Sequence, residues 1–287
     1  MTNPQNAFIA ACLAMTGAAI MLSSAPAFAF VQTMTCYPSG QFRCDPGETP
    51  KPVQWPKLEV HYTVNEQGSD DLHEGLITNE LMESITASFE TWNEPECSNL
   101  ELINAGLTDR EEIGFKDHLG DANLNLVVWR DDDWPYGSYA AVALTTVTFR
   151  PSTGFIVDAD IEMNGAMYTY TDVDNPDATL VDVRNTLTHE VGHFIGLDHT
   201  SERNATMFGT AAPAGELSKR TLHSVDIAGL CHIYPEGGVP PDVPPVEEEP
   251  SSRRWCAAAP PAMPLGPESP ALILLLAAAA LWARRRS

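Results

Sequence analysis

His189-Glu190-Val191-Gly192-His193-Phe194-Ile195-Gly196-Leu197-Asp198-His199 decides how this chain is read. The stretch holds three imidazoles, and a glutamate beside the first, at spacings that build an open metal site. The bare His-Glu-x-x-His arises by chance in about one chain per hundred of this size; adding Gly196 and His199 lowers that to roughly one in 10⁵. On a helix, His189 and His193 are four residues apart, so they share a face and both rings reach one zinc at about 2.0–2.1 Å. Glu190 sits about 100° round the helix from His189, beside the metal position without being a ligand. A continuing helix would carry His199 too far along the axis to join them. Gly196 resolves this, because glycine takes the left-handed conformation that ends helices at low cost. Three histidines then leave a fourth position free for water, as catalytic zinc sites do.

The flanks support a helix. Leu180, Val183, Leu187, Val191 and Phe194 form an apolar stripe at three- and four-residue spacing, with the histidines on the other face. Asn175-Pro176-Asp177 is the expected start. A surface helix with scattered histidines leaves the placing of Gly196 and His199 unexplained. A purely structural zinc leaves Glu190 without a task.

The whole pattern, His-Glu-x-x-His-x-x-Gly-x-x-His, resembles the metzincin zinc endopeptidases. Asn204-Ala205-Thr206-Met207-Phe208-Gly209 resembles their Met-turn, with Met207 eight residues after His199. Gly196-Leu197-Asp198-His199 is most similar to the matrixin branch. Two positions depart from matrixins: Thr200 stands where they usually have Ser, and Phe208-Gly209 where they tend to have Tyr-Pro. No tyrosine lies two residues after Met207, which separates the chain from the astacin and serralysin branches.

The resemblance covers roughly Trp55 to Tyr234. Within it, Lys57 to Val64, Leu124 to Trp129, Val142 to Phe149 and Phe155 to Met163 read as strands, the last two joined by the turn Pro151-Ser152-Thr153-Gly154. Leu81, Ile85, Phe89 and Trp92 mark a helix ending at Glu94-Pro95, and Ser224 is the expected N-cap of a last helix with Ile227, Leu230, Cys231 and Tyr234 inward. The resemblance implies an α+β metzincin catalytic domain, an α/β-like sandwich. It would have a five-stranded, twisted, mostly parallel sheet with one antiparallel edge strand, three main helices and a Met-turn. Carried over, the edge strand is about Leu144 to Thr148; Leu144, Thr145 and Thr146 would bind extended substrate by strand addition. Phe208 and Gly209, within Phe208 to Ala214, would form a wall of the pocket for the side chain after the scissile bond. Met207 would shape the floor under the histidines.

The expected organisation is 1–29 signal peptide, 30–54 N-terminal extension, 55–235 catalytic domain, 236–270 spacer and 271–287 tail. Residues 1–42 contain no Lys, Arg, Asp or Glu, Phe8 to Leu22 is apolar, and Ala27-Phe28-Ala29 is a small-x-small cleavage site. Exported chains can form disulfides. Cys36–Cys44 and Cys97–Cys231 are the favoured pairs; Cys44 as an inhibitory zinc ligand, like the matrixin cysteine switch, is the rival.

The net charge is −23, from 39 acidic and 16 basic residues, which argues against nucleic acid as a partner. Asp158, Asp160 and Glu162 match an acidic stretch that helps hold calcium in matrixins, and Asp172, Asp174, Asn175 and Asp177 form a second oxygen-rich run; calcium is an open reading at both. With no histidine between His118 and His189, the second, structural zinc of matrixins is expected to be absent.

After Tyr234-Pro235 the chain turns proline-rich, with Glu247-Glu248-Glu249, as an extended spacer does. Ala271 to Ala283 is apolar and precedes Arg284-Arg285-Arg286; its thirteen residues are short of the roughly 20 of a spanning helix. Together with Cys256 this resembles a myxobacterial-type C-terminal sorting tail, which implies cell-envelope sorting machinery as a partner and a place at the cell surface; a permanent anchor is the runner-up. The expected protein is an exported, monomeric zinc endopeptidase acting on proteins or peptides, with Glu190 as general base. The alternative is a cell-surface zinc-binding module that does not cut.

Overall fold

Five strands lie side by side in the order β5-β6-β4-β2-β3, and the residues that build them explain the order. In chain sequence the computed structural model gives β1 (Val31–Gln32), β2 (Glu59–Asn65), α1 (Asn79–Asn93), β3 (Glu101–Thr108), β4 (Leu126–Trp129), β5 (Ala143–Phe149) and β6 (Ile156–Met163). There follow β7 (Tyr170–Thr171), β8 (Val181–Asp182), α2 (Val183–Phe194), β9 (Leu197–Asp198), α3 (Ser224–Ile233) and β10 (Cys256–Ala257). It describes residues 30–238, apart from 41, 117–118, 120–122, 137–140, 174–178 and 211–213, together with 256–257. The signal peptide at 1–29, nearly all of the spacer and the tail at 271–287 lie outside the described residues.

β4, Leu-Val-Val-Trp, is buried along its whole length and sits centrally. Its pairings with β2 and β6 are parallel, as is β2 with β3; only β5, joined to β6 by a tight turn, runs antiparallel. That is the mixed sheet expected, with β5 at the side where substrate would add. Beyond it β10 lies antiparallel, Cys256 opposite Val147 and Ala257 opposite Thr146.

α1 and α2 cover one face of the sheet. The stripe Leu81, Ile85, Phe89 and Trp92 of α1 is fully buried against Leu187, Val191 and Phe194 of α2. Phe89 stacks on Tyr62 of β2 at 3.6 Å between centroids and meets Phe194 edge-on at 5.7 Å. Each such side chain contributes about 1.5–3 kcal/mol by leaving water, so the helix that carries the histidines is held by its back.

Three details differ from the sequence reading. α2 begins at Val183, where the Asp182 side chain accepts from the Asn185 backbone N–H at 2.6 Å; Leu180 precedes the helix. Asn175-Pro176-Asp177 lies outside the described residues. α3 is capped by His223, whose ring accepts from Val225 N while Asp226 accepts from His223 N, one residue before the expected cap. On α3, Leu230 is buried and Tyr234 closes its end, but Ile227 and Cys231 are half-buried.

Cys36 and Cys44 are bonded with Cα atoms 4.9 Å apart, which leaves Cys44 no free thiol for a metal. Cys97 and Cys231 are paired with Cα atoms 5.4 Å apart, tying the segment after α1 to α3. Residues 30–54 pack into the rest: β1 pairs with β9, and Val53 belongs to the core. Among the described residues no helix is long and apolar enough to cross a membrane.

Candidate active site

The three imidazoles meet. Nε2 of His199 lies 3.1 Å from Nε2 of His189 and 3.1 Å from Nε2 of His193. Nitrogens about 2.0–2.1 Å from one tetrahedral zinc stand roughly 3.3 Å apart, so the cluster has the size of a zinc shell. Nδ1 of His189 faces the Thr206 carbonyl at 2.5 Å and Nδ1 of His193 faces the Leu197 carbonyl at 2.9 Å. Those acceptors fix the Nδ1–H tautomers, so both Nε2 lone pairs point at a common centre, where they repel unless a cation stands between them. Burial, then the neighbouring Lys219 and histidines, holds His189 well below the usual imidazole range. Burial first, then His193 and Lys219, pushes His199 down to about 3. Those two rings are therefore uncharged at neutral pH, as metal ligation requires. Among the described residues this is the one His/Cys/Asp/Glu group close enough to share an ion.

Gly196 performs the expected reversal at φ +95°, and a Cβ there would stand 2.4 Å from the Val53 carbonyl. The loop that follows is braced from the N-terminal segment. Thr33 N donates to the Gly196 carbonyl at 2.9 Å, and β1 pairs Val31 with Asp198 and Gln32 with Leu197. Trp55 Nε1 donates to the Phe194 carbonyl at 2.9 Å and Tyr234 OH to the Ile195 carbonyl at 2.8 Å.

Met207 lies beneath the helix. A Cβ on Gly192 would stand 2.0 Å from Met207 Sδ, so the glycine between the histidine pair is what admits the thioether. The turn is held by Asp226, buried at 1% exposure, which accepts from Thr206 N at 2.8 Å and Met207 N at 3.1 Å. Gly209 packs on the ring of His199, where a Cβ would lie 2.9 Å from Cγ and Nδ1. Phe208–Gly209 thus borders the cluster; of the wall expected to reach Ala214, residues 211–213 lie outside the described set.

Glu190 is buried and its Oε2 accepts a 2.6 Å hydrogen bond from Thr145 Oγ1 of β5. The same hydroxyl lies 3.1 Å from the Glu190 carbonyl oxygen. Thr145, expected to bind substrate, turns inward and positions the carboxylate; Leu144 is also buried and Thr146 is half-buried.

Asp158, Asp160 and Glu162 share one face of β6 but do not converge. Asp160 accepts from Gly114 N at 2.6 Å and Leu126 N at 2.9 Å, and Glu162 accepts from Arg130 Nε at 2.6 Å. Asp158 stays buried beside Asp160, with its Oδ2 unpartnered. Burial, then repulsion from Asp160, holds the Asp158 carboxyl far above the usual range. In the second acidic run, Asp172 pairs with His73 at 2.7 Å, while Asp174, Asn175 and Asp177 lie outside the described residues.

Thr145, Asp226 and Trp92, whose Nε1 donates to the Thr188 carbonyl at 2.9 Å, were absent from the sequence-level site or given another task in it. None lies beside the motif in the chain, so spacing carried no signal for their roles.

A protein-family profile described as Matrixin matches residues 54–235. The chain is 27% identical over 191 residues to the Matrix metalloproteinase-C of Caenorhabditis elegans, covering 64% of this chain and 29% of that protein. It is 42% identical over 65 residues to the Metalloendoproteinase 5-MMP of Arabidopsis thaliana, 23% of this chain and 17% of that protein. To the Metalloendoproteinase 2-MMP of the same plant it is 25% identical over 161 residues, 55% of this chain and 38% of that protein. The chain thus spans well under half the length of the curated relatives it matches.

Proposed function

Since this chain belongs to the matrixin family of zinc metalloendopeptidases, we propose that it is an exported peptidase that cuts proteins or peptides with Glu190 as general base. The observation that carries the reading is the convergence of three Nε2 atoms, two of them on a helix whose Glu190 carboxylate is buried and held by Thr145.

His189, His193 and His199 hold the zinc. Bound there, zinc supplies Lewis acidity to a water and to the scissile carbonyl. Glu190 Oε takes a proton from the attacking water and returns it to the departing amine, so the carboxylate ends each cycle unprotonated. The 2.6 Å bond from Thr145 limits the carboxylate's rotamers, so little reorganisation precedes proton transfer. Substrate lies extended along β5. The antiparallel pairing of β10 with that strand's outer side, at Val147 and Thr146, supports this mode, because it is an edge that takes an added strand.

Export is supported by the charge-free start with its small-residue site and by two disulfide pairs, which persist in oxidising compartments. Surface attachment rests on the Cys256 tail and its terminal arginines. Calcium at Asp158, Asp160 and Glu162 is retained from the family resemblance, with Asp158 Oδ2 the unpartnered oxygen among them. The non-cutting zinc module has no comparable support, since a binding role needs no positioned Glu190.

The test is digestion of a peptide library by the zinc-loaded chain and by Glu190→Ala. Cutting by the wild type alone is expected. Equal inertness of both near neutral pH, with one zinc bound per chain, would leave the binding module as the function.

A further inference from the structure

β5 is the edge strand beside the site, seven residues long, and an open edge presents a row of unpaired N–H and C=O groups. Here the edge is taken by the chain itself. β10 pairs with it antiparallel, Cys256 opposite Val147 and Ala257 opposite Thr146. The next residue of β5 is Thr145, whose hydroxyl donates to Glu190 Oε2 at 2.6 Å. The segment therefore runs along β5 toward the residue that holds Glu190, and it lies where an extended substrate on that edge has to lie.

The intervening chain is long enough for this. After α3 the backbone is pinned on the far side of the sheet, just before β3: Glu236 N donates to the Cys97 carbonyl at 2.8 Å and Gly237 N to Asn99 Oδ1 at 2.6 Å. Four strand spacings separate β3 from β5, about 19 Å. Residues 239–255, five of them proline, span about 53 Å in the extended polyproline conformation. A segment on a linker of this kind has an effective concentration of roughly millimolar. Pairing over two residues, too weak to hold a free peptide, then keeps the edge occupied, and a longer substrate still displaces it. Arg253 and Arg254 precede β10 in a chain of net charge −23, so the segment approaches an acidic body with a positive pair. Cys44, the rival latency device, is bonded to Cys36.

We infer that residues 256–257 are the resting occupant of the outer edge of β5, and that the full chain is held latent by its own C-terminal segment until an extended substrate, or loss of that segment, frees the strand. The latency rests on the peptidase reading; the occupancy does not.

Two measurements on the zinc-loaded full chain separate them. Residues directly opposite in an antiparallel pair have Cα atoms about 4.5–5.5 Å apart, within disulfide reach. Mild oxidation of Val147→Cys should therefore join the new thiol to that of Cys256 within one chain, mapped by mass spectrometry. Thr148→Cys, one position along and on the other face of β5, should not give that bond. Equal yields from both variants, or none from Val147→Cys, would overturn the occupancy. Should Val147→Cys not fold, by zinc content and thermal melt, Thr146→Cys combined with Ala257→Cys and Cys256→Ser probes the neighbouring pair. For the latency, Cys256→Pro and Ala257→Pro each put proline into β10. One of two adjacent residues turns its N–H to the partner strand, so at least one variant should break the pairing. That variant should raise kcat/KM on an extended peptide about five- to fiftyfold, the range of one or two net hydrogen bonds, while Ala257→Ser leaves it unchanged. An unaltered kcat/KM in both proline variants overturns the latency. So does release of the tail by the wild type but not by Glu190→Ala, which would make the segment a substrate. A cross-link in a chain that cuts nothing, proline variants included, sinks the peptidase reading and keeps the occupancy; full cutting with no cross-link does the reverse.

Discussion

Gly192→Ala puts one methyl group into the contact between the zinc helix and the methionine beneath it. In an exposed helix this exchange stabilises by about 1 kcal/mol, because alanine loses less backbone entropy. Here the added Cβ would lie 2.0 Å from Met207 Sδ and 3.0 Å from both Met207 Cε and Trp92 Cζ2. Ordinary carbon–sulfur contact needs close to twice the first distance, so a neighbour must move. Trp92 cannot easily do so: it is fully buried and its Nε1 is bonded to Thr188 O. Met207 can rotate, but it is 2% exposed and its backbone is fixed by Asp226. Overpacking of this kind costs about 1–3 kcal/mol. Set against the propensity gain, the net expectation is a loss of up to about 2 kcal/mol, or roughly 4–8 °C in Tm for a domain of this size. Thermal melts of zinc-loaded wild type, Gly192→Ala, Met207→Ala and the double variant form a cycle. The double variant should be less destabilised than the sum of the singles, because removing the thioether removes the overlap. A raised Tm for Gly192→Ala, or strict additivity in the cycle, would refute the claim that this glycine exists to seat Met207.

Two further outcomes follow from named contacts. Thr145→Val keeps the shape of β5 and deletes the hydroxyl that holds Glu190; kcat should fall about ten- to hundredfold with bound zinc unchanged, and an unaltered kcat in a steady-state assay counts against the positioning role. Asp158→Asn removes a carboxyl that burial and Asp160 hold above its ordinary value. For such a raised acid the unfolded chain gives up its proton first as pH rises past about 4. The native state loses stability above that pH until it too deprotonates. The variant should therefore gain about 1 kcal/mol or more over wild type in calcium-free buffer at pH 7, with the gain gone at pH 4; melts at both values read this, and a variant no more stable at pH 7 contradicts it.

The parts of the fold that were legible in the sequence are those where one face alone decides. The stripe Leu187, Val191, Phe194 and the β5–β6 hairpin carry strong periodicity, and the glycine reversal follows from the offsets of three histidines. β3 was not located, although a fifth strand was expected. Its eight residues include Asn104 and Gly106, and only Leu102 is buried, because it is the edge strand farthest from the site. The start of α2 was misplaced because proline and aspartate at 176–177 imitate a cap, whereas Asp182 supplies it in space. The supports of the site, Thr145, Asp226 and Trp92, come from other elements; their chemistry is ordinary threonine, aspartate and tryptophan, and only the folded arrangement gives them a task.

The clasp formed by Phe30 to Trp55 has a practical meaning for how the molecule ages. Its strand and its tryptophan hold the helix end and the loop that presents the third imidazole, so residues 30–55 are part of the machine and no disposable wrapper. A protease that shaved it would remove the partners of Gly196, Leu197 and Asp198, with the far end of the chain intact. For anyone preparing the protein, a purification tag belongs well ahead of Phe30, and a tidy product that starts at Trp55 is the wrong one to keep.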